Sequence, residues 1–176
     1  MNLAHLFEVQ RELDQHIIEK KGLEGQDLLP QKILALQVEL GELANEWRGF
    51  KFWRNDQEPR KSVYYGPPEL PDVGTYVNPM LEEYVDCLHF ILSIGLECKF
   101  DDGKFYTSHK ETTLEQFLRL FEKVGDFSAF PTKGNYECIF NYFLGLGEML
   151  GFTWDQIEQA YLEKNRVNYQ RQESGY

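Results

Sequence analysis

This 176-residue sequence predicts an all-α fold, a bundle of five to six main helices in a single domain spanning 1–176. Apolar residues recur at helical rather than alternating spacing in five segments, and capping or breaking residues separate those segments. A hydrophobic share of 42%, with 13 Phe, 10 Tyr and 3 Trp, can fill one core despite a net charge of −11.

The first segment, 2–20, carries Leu3, Leu6, Phe7, Leu13 and Ile17 at helical spacing and stops at Gly22 and Gly25. The second opens at Pro30, which suits a first helical turn, and continues to about Trp47. Residues 80–97 form the third, introduced by Asn78 and Pro79. The fourth covers 113–124, where Thr113 and Gln116 have capping-box spacing. The fifth region, 136–168, breaks near Gly151 and restarts at Thr153, so it reads as two helices. Between the second and third helices, 54–79 holds five of the seven prolines with Tyr64, Tyr65 and Tyr76, and is expected to be a long loop over a site. A DG turn signal makes 99–106 a candidate hairpin. Gly145, Gly147 and Gly151 miss the spacing of a dinucleotide fingerprint.

Charge excludes several functions. With 29 acidic against 18 basic residues, the chain lacks the clustered cations that nucleic acid or an anionic membrane surface requires. The longest apolar run, 85–96, is interrupted by Asp86, His89 and Ser93 and falls short of the ~20 residues of a transmembrane span. The opening residues carry charges where a signal peptide would be apolar. Three cysteines without metal-site spacing suit reduced thiols in a cytoplasmic protein.

The carboxylates are the informative residues. On the second helix Ile33, Leu36, Leu40, Leu43, Ala44 and Trp47 share one face, and Leu34 and Val38 extend apolar character to the other side. Glu39, Glu42 and Glu46 form an acidic stripe within about 60° between them. The third helix is apolar over most of its circumference, which predicts a central, buried position. Glu82, Glu83, Asp86, His89 and Ser93 are confined to the remaining sector. Composition alone produces an acid-x-x-acid pair about four or five times, so either pair singly is an ordinary solvated face. Two pairs on two largely apolar helices point instead to a weakly solvated acidic cleft, where like charges and desolvation raise carboxyl pKa values. A divalent cation would relieve that strain. Oxygen ligands from Glu39, Glu42, Glu83 and Asp86 suit Mg²⁺, with Mn²⁺ as a substitute, better than zinc.

ELGELANEWRGFKFW (39–53), LEEYVDCLHF (81–90) and YLEKNRVNYQRQESGY (161–176) together resemble the dimeric all-α dUTPases within the MazG-like nucleoside triphosphate pyrophosphohydrolases. The resemblance implies Mg²⁺-dependent hydrolysis of dUTP to dUMP and pyrophosphate, with two or more ions, dUTP or dUDP as substrate, and a homodimer. It assigns Glu39 and Glu42 to an ExxE metal motif, and Glu83 and Asp86 to an ExxD motif. His89 matches a histidine that contacts the nucleoside. Lys164, Asn168 and Arg171 match a C-terminal block in which the basic pair holds the phosphates and Asn168 faces the nucleotide. Trp53 matches an aromatic residue that closes over the base. Such enzymes also use an N-terminal amide to read uracil, which Gln10 or Gln15 would supply; Asp14 stands where some relatives carry Asn. Glu39 is the expected water-positioning base, Lys164 and Arg171 the stabilisers of phosphoryl charge, and the tyrosine-rich loop and the tail 161–176 ending in Tyr176 the closing elements.

Taken alone, Lys164, Arg166 and Arg171 are equally an ordinary basic helix end, His89 a satisfied buried histidine, and Trp53 a packing residue. Three further readings compete. One is a pyrophosphohydrolase for another nucleotide such as dCTP. Another is a noncatalytic helical module whose acidic cleft binds a basic partner. A di-iron bundle is disfavoured, because only Asp86 and His89 have the ExxH-like spacing it uses twice. The aromatic stretch 136–143 is either a partner-facing surface or core.

Overall fold

Helices start and stop where this chain supplies partners for their orphaned backbone groups. In the computed structural model, which describes residues 2–67 and 74–175, α1 (Leu3–Lys21) is capped by Asn2 and ends on Gly22 in the left-handed region. Next come α2 (Leu29–Trp47), with proline in its first turn, and α3 (Pro79–Cys98), capped by Asn78. Capping boxes open α4 (Thr113–Ala129) and α6 (Trp154–Glu173), and Thr132 caps α5 (Lys133–Leu150). Each such cap contributes about 1 kcal/mol. The all-α expectation holds, with six helices among the described residues and none long and apolar enough to cross a membrane.

Several boundaries differ from the sequence expectation. The capping box of α4 is Thr112 with Glu115, one residue earlier than the spacing of Thr113 and Gln116 suggests. Gln116 is instead buried and ties the preceding loop down, its amide donating to the carbonyls of Ser108 and Tyr142. The 99–106 stretch forms no hairpin; its continuation is anchored to α5 through Asn141, which accepts from the backbone N–H groups of Tyr106 and Ser108. Within 54–79 a short antiparallel ribbon forms, pairing β1 (Val63–Tyr65) with β2 (Thr75–Val77).

α3 is the central element, as its apolar circumference requires. It packs against α1, α2, α5 and α6, with residues from Met80 to Gly95 buried on several sides. Tyr84 stacks on Phe143 at 4.2 Å and donates its hydroxyl to the Phe143 carbonyl. Tyr136, Ile139, Phe140 and Phe143 are buried, so the aromatic stretch of α5 is core rather than partner surface.

The α5 glycines serve close approach rather than phosphate binding. A Cβ at Gly145 would collide with the Ser108 carbonyl, and one at Gly147 with the Tyr84 ring. Gly145→Ala should therefore destabilise the chain by about 1–3 kcal/mol, the usual scale of overpacking. Denaturant unfolding would show it as a lower midpoint at unchanged slope, and an unaltered midpoint would contradict the contact.

Candidate active site

Burying one face of α2 through Leu36, Leu40 and Leu43 leaves Glu39 half-buried at the edge of that face. On α3, Glu83 and Asp86 are one turn apart in the only polar sector, also half-buried. Since α2 and α3 pack side by side, one oxygen from each of Glu39, Glu83 and Asp86 lies within 4.8 Å of the other two. Glu42, the fourth expected ligand, is exposed and outside this trio, although its charge acts on both Glu39 and Glu83.

The electrostatics are those of uncompensated crowding. Burial, then the charges of Asp86, Glu42 and Glu39, push Glu83 up to about 7. Burial, then Asp86 and Glu42, raise Glu39, against the opposing pull of Lys164 and a hydrogen bond with Glu83. Asp86 is raised by burial even though Lys164 and Arg171 favour its charged form. From α6, Lys164 reaches across and donates Nζ to Asp86 Oδ2 at 2.5 Å. Its charge and that of Arg171 offset only part of the burial that raises Asp86.

Beside the trio lies a cavity of about 210 Å³, with Glu39 and Asp86 in its wall. Lys164, Asn168 and Arg171 line it from α6, each about one turn from the next; Leu13, Ile17 and Phe90 supply apolar surface. Gln10 and Asp14 enter from α1, and His89 and Ser93 from α3. A larger open groove, about 670 Å³, runs past His109, Leu118 and Arg119 and shares no residue with this cavity.

Gln10, only 3% exposed, is the hub of a polar network. Its Oε1 accepts from the Tyr161 hydroxyl at 2.6 Å and lies 2.8 Å from His89 Nδ1. Its Nε2 donates to Asp14 Oδ1 at 2.7 Å, and Ser93 donates to Asp14 Oδ2. The His89 ring stacks on Tyr161 at 4.1 Å. Burial, then the charge of Lys164, push the His89 imidazole down to about 3 against an opposing backbone contact with Tyr161, so the ring is neutral.

Of the residues singled out from sequence, Gln10, Glu39, Asp86, His89, Lys164, Asn168 and Arg171 meet around one cavity, and Glu83 adjoins it through the carboxylate trio. Gln15 does not join them; it is exposed and bonded to Glu19. Trp53 is 62% exposed, packs edge-on against Phe50 and Phe52, and is not among the lining residues. Tyr176 lies outside the described residues. Tyr161 and Ser93 enter the network without having been assigned a role. The only signal for Tyr161 was its place one turn before Lys164 on the same helix.

No curated protein matches the chain. A family model described as dUTPase matches residues 2–67 and 74–176, and it thereby takes in every element that builds the carboxylate trio and the cavity. On that match the chain belongs to the dUTPase family, all-helical enzymes that hydrolyse dUTP.

Proposed function

We propose that the chain converts dUTP to dUMP and pyrophosphate with the help of Mg²⁺, so limiting the dUTP available for incorporation into DNA. The observation that carries this reading is the convergence of Glu39, Glu83 and Asp86 within 4.8 Å beside the cavity. Their chemistry fits a hard cation. All three ligands are carboxylate oxygens, and their pKa values are raised by burial first and, for Glu39 and Glu83, by neighbouring carboxylates, the two costs a bound cation would relieve. Glu42 would enlarge the set toward a second ion. Bound there, Mg²⁺ would neutralise the acids, attract phosphate oxygens and lower the pKa of water.

The chain's own groups divide the remaining work. Glu39 belongs to both trio and cavity wall, so it is the group to orient an attacking water and take its proton. Lys164 and Arg171 bring positive charge to the same wall, where negative charge accumulates on phosphoryl oxygens as the bridging P–O bond breaks. The water oxygen bonds to phosphorus, the bridging oxygen keeps the electron pair, and the leaving phosphate departs; attack at the α or β phosphorus gives the same two products. dUDP would yield dUMP and phosphate by the same step. The cavity is below the size that encloses a drug-sized ligand, which suits a nucleoside with its phosphates extending along the charged edge.

Pyrophosphate release from dUTP should require Mg²⁺ and should exceed that from dTTP by about 10- to 200-fold, the scale on which one methyl group is rejected. Equal turnover of dCTP would favour the alternative substrate. Glu83→Gln should lower kcat by at least about 100-fold, a loss of several kcal/mol of charge stabilisation. Its melting temperature should hold or rise, since a crowded charge is removed; wild-type turnover in this variant would remove Glu83 from the site.

The stability of metal-free wild-type protein relative to Glu83→Gln should be greater at about pH 5.5 than at about pH 8. The sign follows from Glu39, Glu83 and Asp86, whose pKa values are all raised on folding. Between the ordinary carboxylate range and about 7 these three groups hold more protons in the folded chain than in the unfolded one, so their contribution to stability falls as pH rises through that window; His89, neutral when folded, opposes them below the ordinary histidine range. Differential scanning calorimetry should show the slope, and Mg²⁺ should flatten it by stabilising the ionised form. A slope unaffected by both Mg²⁺ and Glu83→Gln would mean that the trio does not cause it.

A homodimer fits the exposed apolar side chains Leu34 and Val38 on the outer side of α2. Sedimentation at twice the chain mass would support it, and a monomer would not.

A further inference from the structure

The hydrogen bonds around Gln10 fix more than its position, because a carboxylate can only accept. Asp14 Oδ1 lies 2.7 Å from the Gln10 amide and must therefore face its NH₂ group. With the amide so oriented, Oε1 points to Tyr161 and His89, and its two lone pairs meet two hydrogens, Tyr161 O–H at 2.6 Å and His89 Nδ1–H at 2.8 Å. The reverse orientation would set Gln10 Oε1 against the Asp14 carboxylate, oxygen against oxygen. Since the ring is neutral, a proton on Nδ1 leaves Nε2 bare.

Nε2 is also the ring nitrogen that makes no hydrogen bond among the described residues. His89 is 6% exposed, and Nε2 is buried with no hydrogen-bond donor among the described residues, although the residue lines the cavity. A buried acceptor with no donor is costly unless a ligand supplies one. Asp14 is itself held, by Ser93 Oγ at 2.5 Å and by Lys32 Nζ at 3.5 Å, so it is a rigid reference for the chain of bonds.

We propose that Asp14 is a positioning residue which, through Gln10, locks His89 in the Nδ1–H tautomer and so presents Nε2 as an acceptor for an N–H or O–H of the bound nucleotide. This rests on the nucleotide-binding reading of the cavity and deepens it. A deoxyuridine nucleotide offers two donors, the base N3–H and the 3′-hydroxyl. The site would discriminate against nucleotides that place an acceptor opposite Nε2, as cytosine N3 would if the base edge is what it reads.

The test is long-range ¹H–¹⁵N NMR on the full chain labelled at histidine. His89 should show a pyrrole-type signal at Nδ1 and a pyridine-type signal at Nε2, and the opposite tautomer would overturn the proposal. Adding non-hydrolysable α,β-imido-dUTP should shift Nε2 as it accepts a hydrogen bond; bound analogue with Nε2 unmoved would also overturn it. The same analogue lacking the 3′-hydroxyl separates the sources: loss of the shift identifies the sugar donor, and its retention identifies N3–H. Asp14→Leu should mix the two tautomers and raise KM for dUTP roughly fivefold to tenfold with a smaller change in kcat, the scale of one hydrogen bond. Asp14→Asn, which keeps an acceptor oxygen for Gln10, should restore both. A single Nδ1–H tautomer and unchanged KM in Asp14→Leu would remove Asp14 from the role. Should Asp14→Leu fail to fold, the wild-type spectrum still decides the tautomer. Because that spectrum needs no turnover, its outcome is independent of whether dUTP is hydrolysed.

Discussion

Negative charges held close together on helices that are otherwise apolar are the constraint around which this chain is arranged. Glu39, Glu83 and Asp86 cannot spread into solvent without rotating α2 or α3, and either rotation would expose core residues such as Leu40 or Leu88. Burial of the apolar faces thus enforces the crowding of the acids. At about 1.5–3 kcal/mol for each fully buried large apolar side chain, the core easily outweighs the repulsion it imposes. The tension is concentrated in one place, and Lys164 relieves only part of it.

Much of this was legible in the sequence because helical periodicity and composition determine it locally. The apolar circumference of the third helix implied its central place, and the sector left over named Glu83, Asp86, His89 and Ser93 together. Capping chemistry marked the restart at Thr153 correctly, because Thr153 and Gln156 do close a reciprocal box. It placed the start of α4 at Thr113 but misassigned its capping box by one residue, since Thr112 and Thr113 both have a suitable partner three positions on and only packing decides between them. Gln116 is needed elsewhere, beneath the 99–112 loop.

What was not legible depended on how the helices meet. Local spacing treats Glu39 and Glu42 alike, but one residue faces α3 and the other faces outward. Gln10 and Gln15 likewise differ only in which side of α1 turns toward α3 and α6. Beyond its place one turn before Lys164, Tyr161 gives no sign of its role in the sequence, because its partner, Gln10, is 151 positions away. The glycines of α5 are a different case: their spacing argued against a phosphate loop but showed no positive role, and only packing reveals that Gly145 and Gly147 answer to the bulk of Ser108 and Tyr84.

The bonds that join Gln10 to His89 and to Tyr161 span 79 and 151 residues. They knit the first, third and last helices, so no stretch of the sequence shorter than nearly the whole can assemble the cavity. During synthesis the acids of α2 and α3 emerge well before α6, the helix that carries Lys164. A growing polypeptide therefore has no half-built version of the pocket, and competence arrives in one step when the final helix docks.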